Sequence, residues 1–168
     1  MHRRTAGAVA TSIQQGHFPL VLGGDHSIAL GSIHGAAKHK RLGVIWIDAH
    51  ADFNTAETTP SGNIHGMPLA ALCGLGDPRL IQLWDGDVAA LDPRRVVVLG
   101  ARDLDEGEKK NLHQAGVLVI GMEQIDRQGM FNAMEMALAR IMPDVDGIYL
   151  SFDVDSLDPR HAPGVGTP

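Results

Sequence analysis

Hydrophobic positions cluster in five short unbroken runs, at residues 18–22, 42–47, 96–99, 117–120 and 148–152, rich in Val, Ile and Leu. None alternates with polar residues, so each reads as a strand covered on both faces. Between them lie stretches with helical spacing, at 4–15, 27–39, 67–75, 103–114 and 130–141. Strand then helix, repeated, predicts the α/β class: three layers, α/β/α, around a mostly parallel central sheet. Two segments break the rhythm, 49–66 and 77–95. The first is crowded with polar groups and the second reads as plain surface. No repeat, low-complexity tract or linker divides the chain, so residues 1–168 are read as a single domain.

Composition narrows the function classes. At 44% hydrophobic and 20% charged residues, the chain can bury a core and is not a disordered one. Its 14 basic and 20 acidic residues give a formal charge of -6, with no Lys/Arg stripe to follow a phosphate backbone. No nucleic-acid partner is expected. No apolar run is long enough to span a bilayer, and Met1-His2-Arg3-Arg4 leads into an amphipathic stretch rather than a secretory core. With a single cysteine, Cys73, which cannot pair internally, these features point to a cytoplasmic protein with no membrane partner.

In open parallel sheets, functional groups gather beyond the carboxyl ends of the strands. Three of the apolar runs stop at polar clusters there. Residues 18–22 lead into Gly23-Gly24-Asp25-His26-Ser27, 42–47 into Asp48-Ala49-His50-Ala51-Asp52, and 148–152 into Asp153-Val154-Asp155. Alternate positions of an extended segment point the same way, so Asp48, His50 and Asp52 can converge, as can Asp153 and Asp155. Four carboxylates and an imidazole in one crevice repel unless a cation sits among them. Mixed oxygen and imidazole donors suit Mn²⁺, Fe²⁺, Zn²⁺ or Ni²⁺, and a thiolate site is excluded because Cys73 falls on a predicted helix. Singly, each cluster has an ordinary reading: Asp25 or Ser27 as a helix cap, Asp153 and Asp155 as loop acids. Three clusters at the ends of three buried strands are what favours a dinuclear centre. His17, His34, His39 and His113 read as solvated surface, and Met130, Met134 and Met136, with Leu138 and Ile141, as a core-facing stripe. Gly74-Leu75-Gly76 lacks the third glycine of a dinucleotide fingerprint.

The same motifs carry a resemblance. Gly23-Gly-Asp-His-Ser27, Trp46-Ile-Asp-Ala-His-Ala-Asp-Phe-Asn54-Thr55, Ser61-Gly-Asn63-Ile-His65-Gly66, Ser151-Phe-Asp-Val-Asp-Ser-Leu-Asp-Pro159 and Gly166-Thr-Pro168 occur in order over nearly the whole chain. They resemble the arginases of the ureohydrolase family. The resemblance implies a sheet of eight parallel strands and two Mn²⁺ ions. The reaction it implies is hydrolysis of L-arginine to L-ornithine and urea by a metal-bridging hydroxide, which paired divalent ions supply near neutral pH. Carried over by position, His26, Asp48, Asp52 and Asp153 would hold one ion and Asp48, His50, Asp153 and Asp155 the other. Asp52 and His65 would be catalytic, His65 as the proton shuttle. Asn54, Ser61 and Asn63 would recognise the α-carboxylate, Asp105 and Glu108 the α-ammonium, and Thr167 would complete the substrate contacts. Without the resemblance, Asp103 and Asp105 read as a helix cap and a first-turn acid. Agmatinases do not usually carry Ser-Gly-Asn before the loop histidine, so arginase is favoured over agmatinase or another guanidino-compound hydrolase.

Family members are longer, so the chain is expected to be truncated at both ends. The resemblance implies a last strand that lies between the strand leading to His26 and the one leading to Asp153, and its loss would leave backbone groups and apolar faces unpaired. A non-catalytic remnant that binds only metal or a partner chain is the reading from another class. The full-length protein would be a homo-oligomer, a trimer or hexamer.

Overall fold

A computed structural model describes residues 1–82 and 88–165. Its centre is a parallel sheet of β1 (Leu42–Ile47), β2 (Val96–Leu99), β3 (Leu118–Ile120) and β4 (Gly147–Phe152), in the order β3-β2-β1-β4. The central pair is buried on both faces, which is why β1 and β2 are unbroken runs of apolar residues. Alternation sends Val44, Trp46, Val96 and Val98 to one side and Ile45, Val97 and Leu99 to the other.

Helices cover both sides. On the first face lie α2 (Ile28–Ala37), α3 (Pro68–Leu72) and α5 (Glu106–Ala115), through residues such as Ile33, Leu69 and Leu112. On the second lies α6 (Met122–Ile141), through Ile125, Ala133, Ala137 and Ile141. This is the three-layer arrangement the alternation predicted. α1 (His2–Gln14) packs outside α2, close enough that a Cβ on Gly35 would collide with the Ala6 carbonyl oxygen. A short helix, α4 (Pro78–Ile81), starts under a cap from the Asp77 side chain.

Three expectations need correction. Residues 18–22 are not a strand: Phe18, Leu20 and Leu22 are 91%, 76% and 83% exposed. An apolar run becomes a strand only where another edge accepts its backbone groups, and none of the described strands does. Among the described residues β4 pairs only with β1, and its outward residues Ile148, Leu150 and Phe152 are exposed. Secondly, α6 begins at Met122, not 130, with a break at Gly129 (φ +83°). Its first half places only Met122 and Ile125 against the core, too sparse a stripe to read from sequence. The stripe itself runs through the alanines, leaving Met130 and Met136 exposed. Thirdly, His34 is buried on α2 rather than solvated. Among the described residues, no helix is long and apolar enough to cross a membrane.

Candidate metal centre

Parallel strands all end on one side, and the polar clusters meet there. Ile47 lies opposite Phe152, so Asp48 and Asp153 leave the sheet side by side, and the Asp153 amide extends the ladder by donating to the Ile47 carbonyl at 2.9 Å. His26 arrives from the turn before α2. Its Nδ1 stands 3.0 Å from Asp48 Oδ2, 3.0 Å from Asp52 Oδ2 and 3.2 Å from Asp153 Oδ2. His50 Nδ1 stands 3.4 Å from Asp48 Oδ1 and 3.3 Å from Asp155 Oδ2. Donor atoms of His26, Asp48 and Asp153 lie within 4.8 Å of one another, as do those of Asp48, His50 and Asp155. Asp48, only 1% exposed, belongs to both groups.

Surrounding side chains aim these donors. His26 Nε2 is 2.8 Å from Ser151 Oγ, and the ring stacks on Trp46 with centroids 3.9 Å apart. With Nε2 engaged by Ser151, Nδ1 is left to face the carboxylates, the usual outer support of a ligating imidazole. Trp46 Nε1 donates to Asp48 Oδ2 at 2.9 Å, and the His50 amide donates to Asp48 Oδ1 at 2.8 Å. Sequence reasoning passed over Ser151 and Trp46. The signal was present, since each sits two residues before an acid on the same strand and so faces the same side.

The loop 49–66 is tied down rather than free. Asp52 holds φ at +50°, a left-handed conformation that Asp tolerates better than most side chains. Its carbonyl accepts the Leu69 amide at 3.0 Å, and the Asn54 amide donates to the Gly66 carbonyl at 3.1 Å. Glu108, nearly fully buried, accepts the Phe53 amide at 2.8 Å on Oε1 and the Asp105 amide at 3.4 Å on Oε2. The first turn of α5 is thereby fastened to the segment carrying Asp52.

Above the centre opens a cleft of about 450 Å³. Of the residues singled out from sequence, His26, Asp48, His50, Asp52, Asn54, Ser61, His65, Asp105, Glu108, Asp153 and Asp155 line it. His65 stands exposed on a short turn over residues 64–66. Asn54 directs its amide to Asp105 Oδ2 at 2.8 Å and accepts the Thr58 hydroxyl at 2.9 Å. Asn63 is exposed and does not line the cleft. Thr167 lies outside the described residues. Asp25 and Asp103 add two acids to the wall.

The donor chemistry fits divalent cations. Burial opposes a proton on His26, yet the carboxylates of Asp153, Asp48 and Asp52 outweigh it and raise its pKa to about 11. Bonds from Asp155 and Asp48, against burial, raise His50 to about 10. Burial pushes Asp52 up to about 7, despite its contact with His26. Without a cation, protons must therefore compensate the packed carboxylates, and a cation of mixed oxygen and nitrogen preference replaces them. A pH dependence follows. The raised histidine values mean that stability from these pairs in the metal-free chain is complete below 6.5 and is lost as pH climbs toward 10 to 11. In chelator, the thermal midpoint should fall between about pH 6 and about pH 9, and added Mn²⁺ should reverse the fall at the upper pH by replacing the lost protons. A midpoint that rises with pH in chelator contradicts this account.

Fold and site together define a parallel α/β protein whose strand ends gather histidines and carboxylates into a site suited to divalent cations, of the kind metal-dependent hydrolases use. The arginase family profile matches residues 1–168, and the chain belongs to the arginase family. It is 55% identical over 168 residues to the arginase of Bacillus caldovelox, covering 99% of this chain and 56% of that protein. The crystal structure of B. caldovelox arginase at pH 5.6 superposes with a TM-score of 0.94, at 54% identity over 99% of this chain and 56% of that one. The arginase of Entamoeba histolytica, solved in complex with L-ornithine, gives 0.85 at 37% identity, covering 95% of this chain and 54% of that one. The chain thus spans about half the length of these relatives.

Proposed function

We propose that the chain is the part of an arginase that carries its metal centre, acting in the hydrolysis of L-arginine to L-ornithine and urea. The observation that carries the reading is the pair of histidine–carboxylate groups sharing Asp48 on the floor of an acidic cleft. Two Mn²⁺ ions would be held by His26, Asp48, Asp52 and Asp153, and by Asp48, His50, Asp153 and Asp155. Bound there, they would supply Lewis acidity and a water acidic enough to lose its proton near neutral pH. The residues do the rest. Asp25, Asp103 and Asp105 make the wall negative and draw in a guanidinium, which keeps its charge in water. Asp105, held by Asn54, receives the α-ammonium, and Ser61 the α-carboxylate. His65, exposed at the rim, passes a proton to the departing amine. The relative solved with L-ornithine supports this substrate class. The full-length protein is read as a cytoplasmic homo-oligomer.

Urea release from L-arginine and from agmatine, with Mn²⁺ added, tests the proposal. Turnover of arginine is expected; turnover of agmatine alone overturns the substrate. One observation favours a second reading, a chain that binds cations and a partner but does not turn over by itself. Among the described residues, the open edge of β4 and the exposed side chains of Phe18, Leu20 and Leu22 leave apolar surface uncovered. Mn²⁺ uptake with no turnover of either compound selects it.

A further inference from the structure

We infer that Arg102 is a positioning residue for the half of the centre built on His50 and Asp155; the inference rests on the metal-centre reading above. Arg102 follows β2 and does not line the cleft, so it acts through other groups. Its guanidinium Nη2 donates to the Asp155 carbonyl at 2.6 Å, and Nη1 donates to the Ser156 carbonyl at 3.2 Å. Its own amide donates to the Ala49 carbonyl at 2.8 Å, and the Ala49 amide in turn approaches Asp155 Oδ1 at 3.4 Å. One residue therefore ties the turn after β4 to the segment after β1, and both segments supply donors to the same group.

The arrangement matters because of where Asp155 sits. It lies on a single turn of 3-10 helix, Val154–Ser156, a short element with little rigidity of its own. Asp153 stands at the end of the ladder, its amide bonded to Ile47, and is held by the sheet. Asp155, two residues further on, has left the sheet, and Arg102 grips the turn by two successive carbonyls. A planar fork can span both oxygens at once, which a lysine ammonium on a flexible stem cannot do. The clamp also places a fixed positive charge at the back of a carboxylate-rich site without competing for its donor oxygens. Among the described residues, the His26 group is held by Ser151 and Trp46 and not by a guanidinium. Loss of Arg102 should therefore be felt by one cation and not the other.

Mn²⁺ titration of the wild-type chain, Arg102→Met and Arg102→Lys, followed by calorimetry and by the electron paramagnetic resonance of the coupled pair, tests this. In Arg102→Met the ion of the His50 and Asp155 group should lose about 10- to 100-fold in affinity while the ion of the His26 group stays within about threefold, and the coupled-pair signal should fade at Mn²⁺ levels that saturate the wild type. Arg102→Lys, which keeps the charge but not the fork, should recover only part of the loss. In the metal-free proteins, amide exchange across residues 154–157 should quicken in Arg102→Met while that of β1 does not. Two unchanged affinities in Arg102→Met overturn the clamp. So does an equal loss at both ions accompanied by a lower thermal midpoint, which would mark a general loss of stability. A wild-type chain that takes up no Mn²⁺ overturns the metal-centre reading and the clamp with it.

Discussion

Asp48→Asn should abolish both cation sites in a single step. The substitution preserves size but leaves one acceptor oxygen where the carboxylate has two, so either the Trp46 indole or the His50 amide loses its acceptor. What also disappears is the charge shared by the two groups of donors. Removing an outer support costs a metal site about 10- to 100-fold, and losing a shared donor should cost more than about a hundredfold at each ion. Equilibrium dialysis with elemental analysis reads this directly, as two ions per wild-type chain and none per variant at the same free Mn²⁺. An Asp48→Asn chain that still carries two ions would show that the groups do not share a centre. The variant should also lose the upward pull on His26 and His50, because Asp48 is among the carboxylates that raise both. NMR titration should then show both imidazoles releasing their protons at lower pH than in the metal-free wild type.

His65→Ala should separate proton transfer from metal binding. His65 lines the cleft on an exposed turn, away from the histidines that cluster with the acids. Its removal should leave Mn²⁺ content unchanged and lower the rate of urea release by about 10²- to 10⁴-fold, the usual worth of a positioned acid or base. Added imidazole should restore part of the rate, since a small diffusible acid can enter an open rim. An unchanged rate removes His65 from the proton path. A lost rate together with lost Mn²⁺ would make the residue a support of the centre and not a carrier of protons.

Much of this centre could be read from sequence because its chemistry is written in short-range patterns. Asp48, His50 and Asp52 sit at alternate positions directly after a buried strand, and so do Asp153 and Asp155. The period of an extended chain fixes which of them point together, and the rule that parallel sheets work at their carboxyl ends says where. The same alternation held the roles of Trp46 and Ser151, one pleat earlier. Arg102 had no such signal, because its partners are carbonyls of a turn 53 and 54 positions away, and any side chain could have flanked them. Glu108, read from sequence as a substrate contact, receives backbone amides on both of its oxygens. A cap to its own helix is a local pattern, but the bond to Phe53 is not.

The sequence by itself determined the local terms: which runs are apolar enough to be buried, which residues can bind a cation, and that acids and imidazoles follow the strands. It also determined the family, since the motifs recur in order along the chain. Only the tertiary structure decided which strands pair. Residues 18–22 are as apolar as β4, yet one is a strand and the other an exposed connection. The physical reason is that a strand is not a property of its own residues. Its backbone groups must be met by a neighbour, and that neighbour is chosen by contacts far apart in the chain.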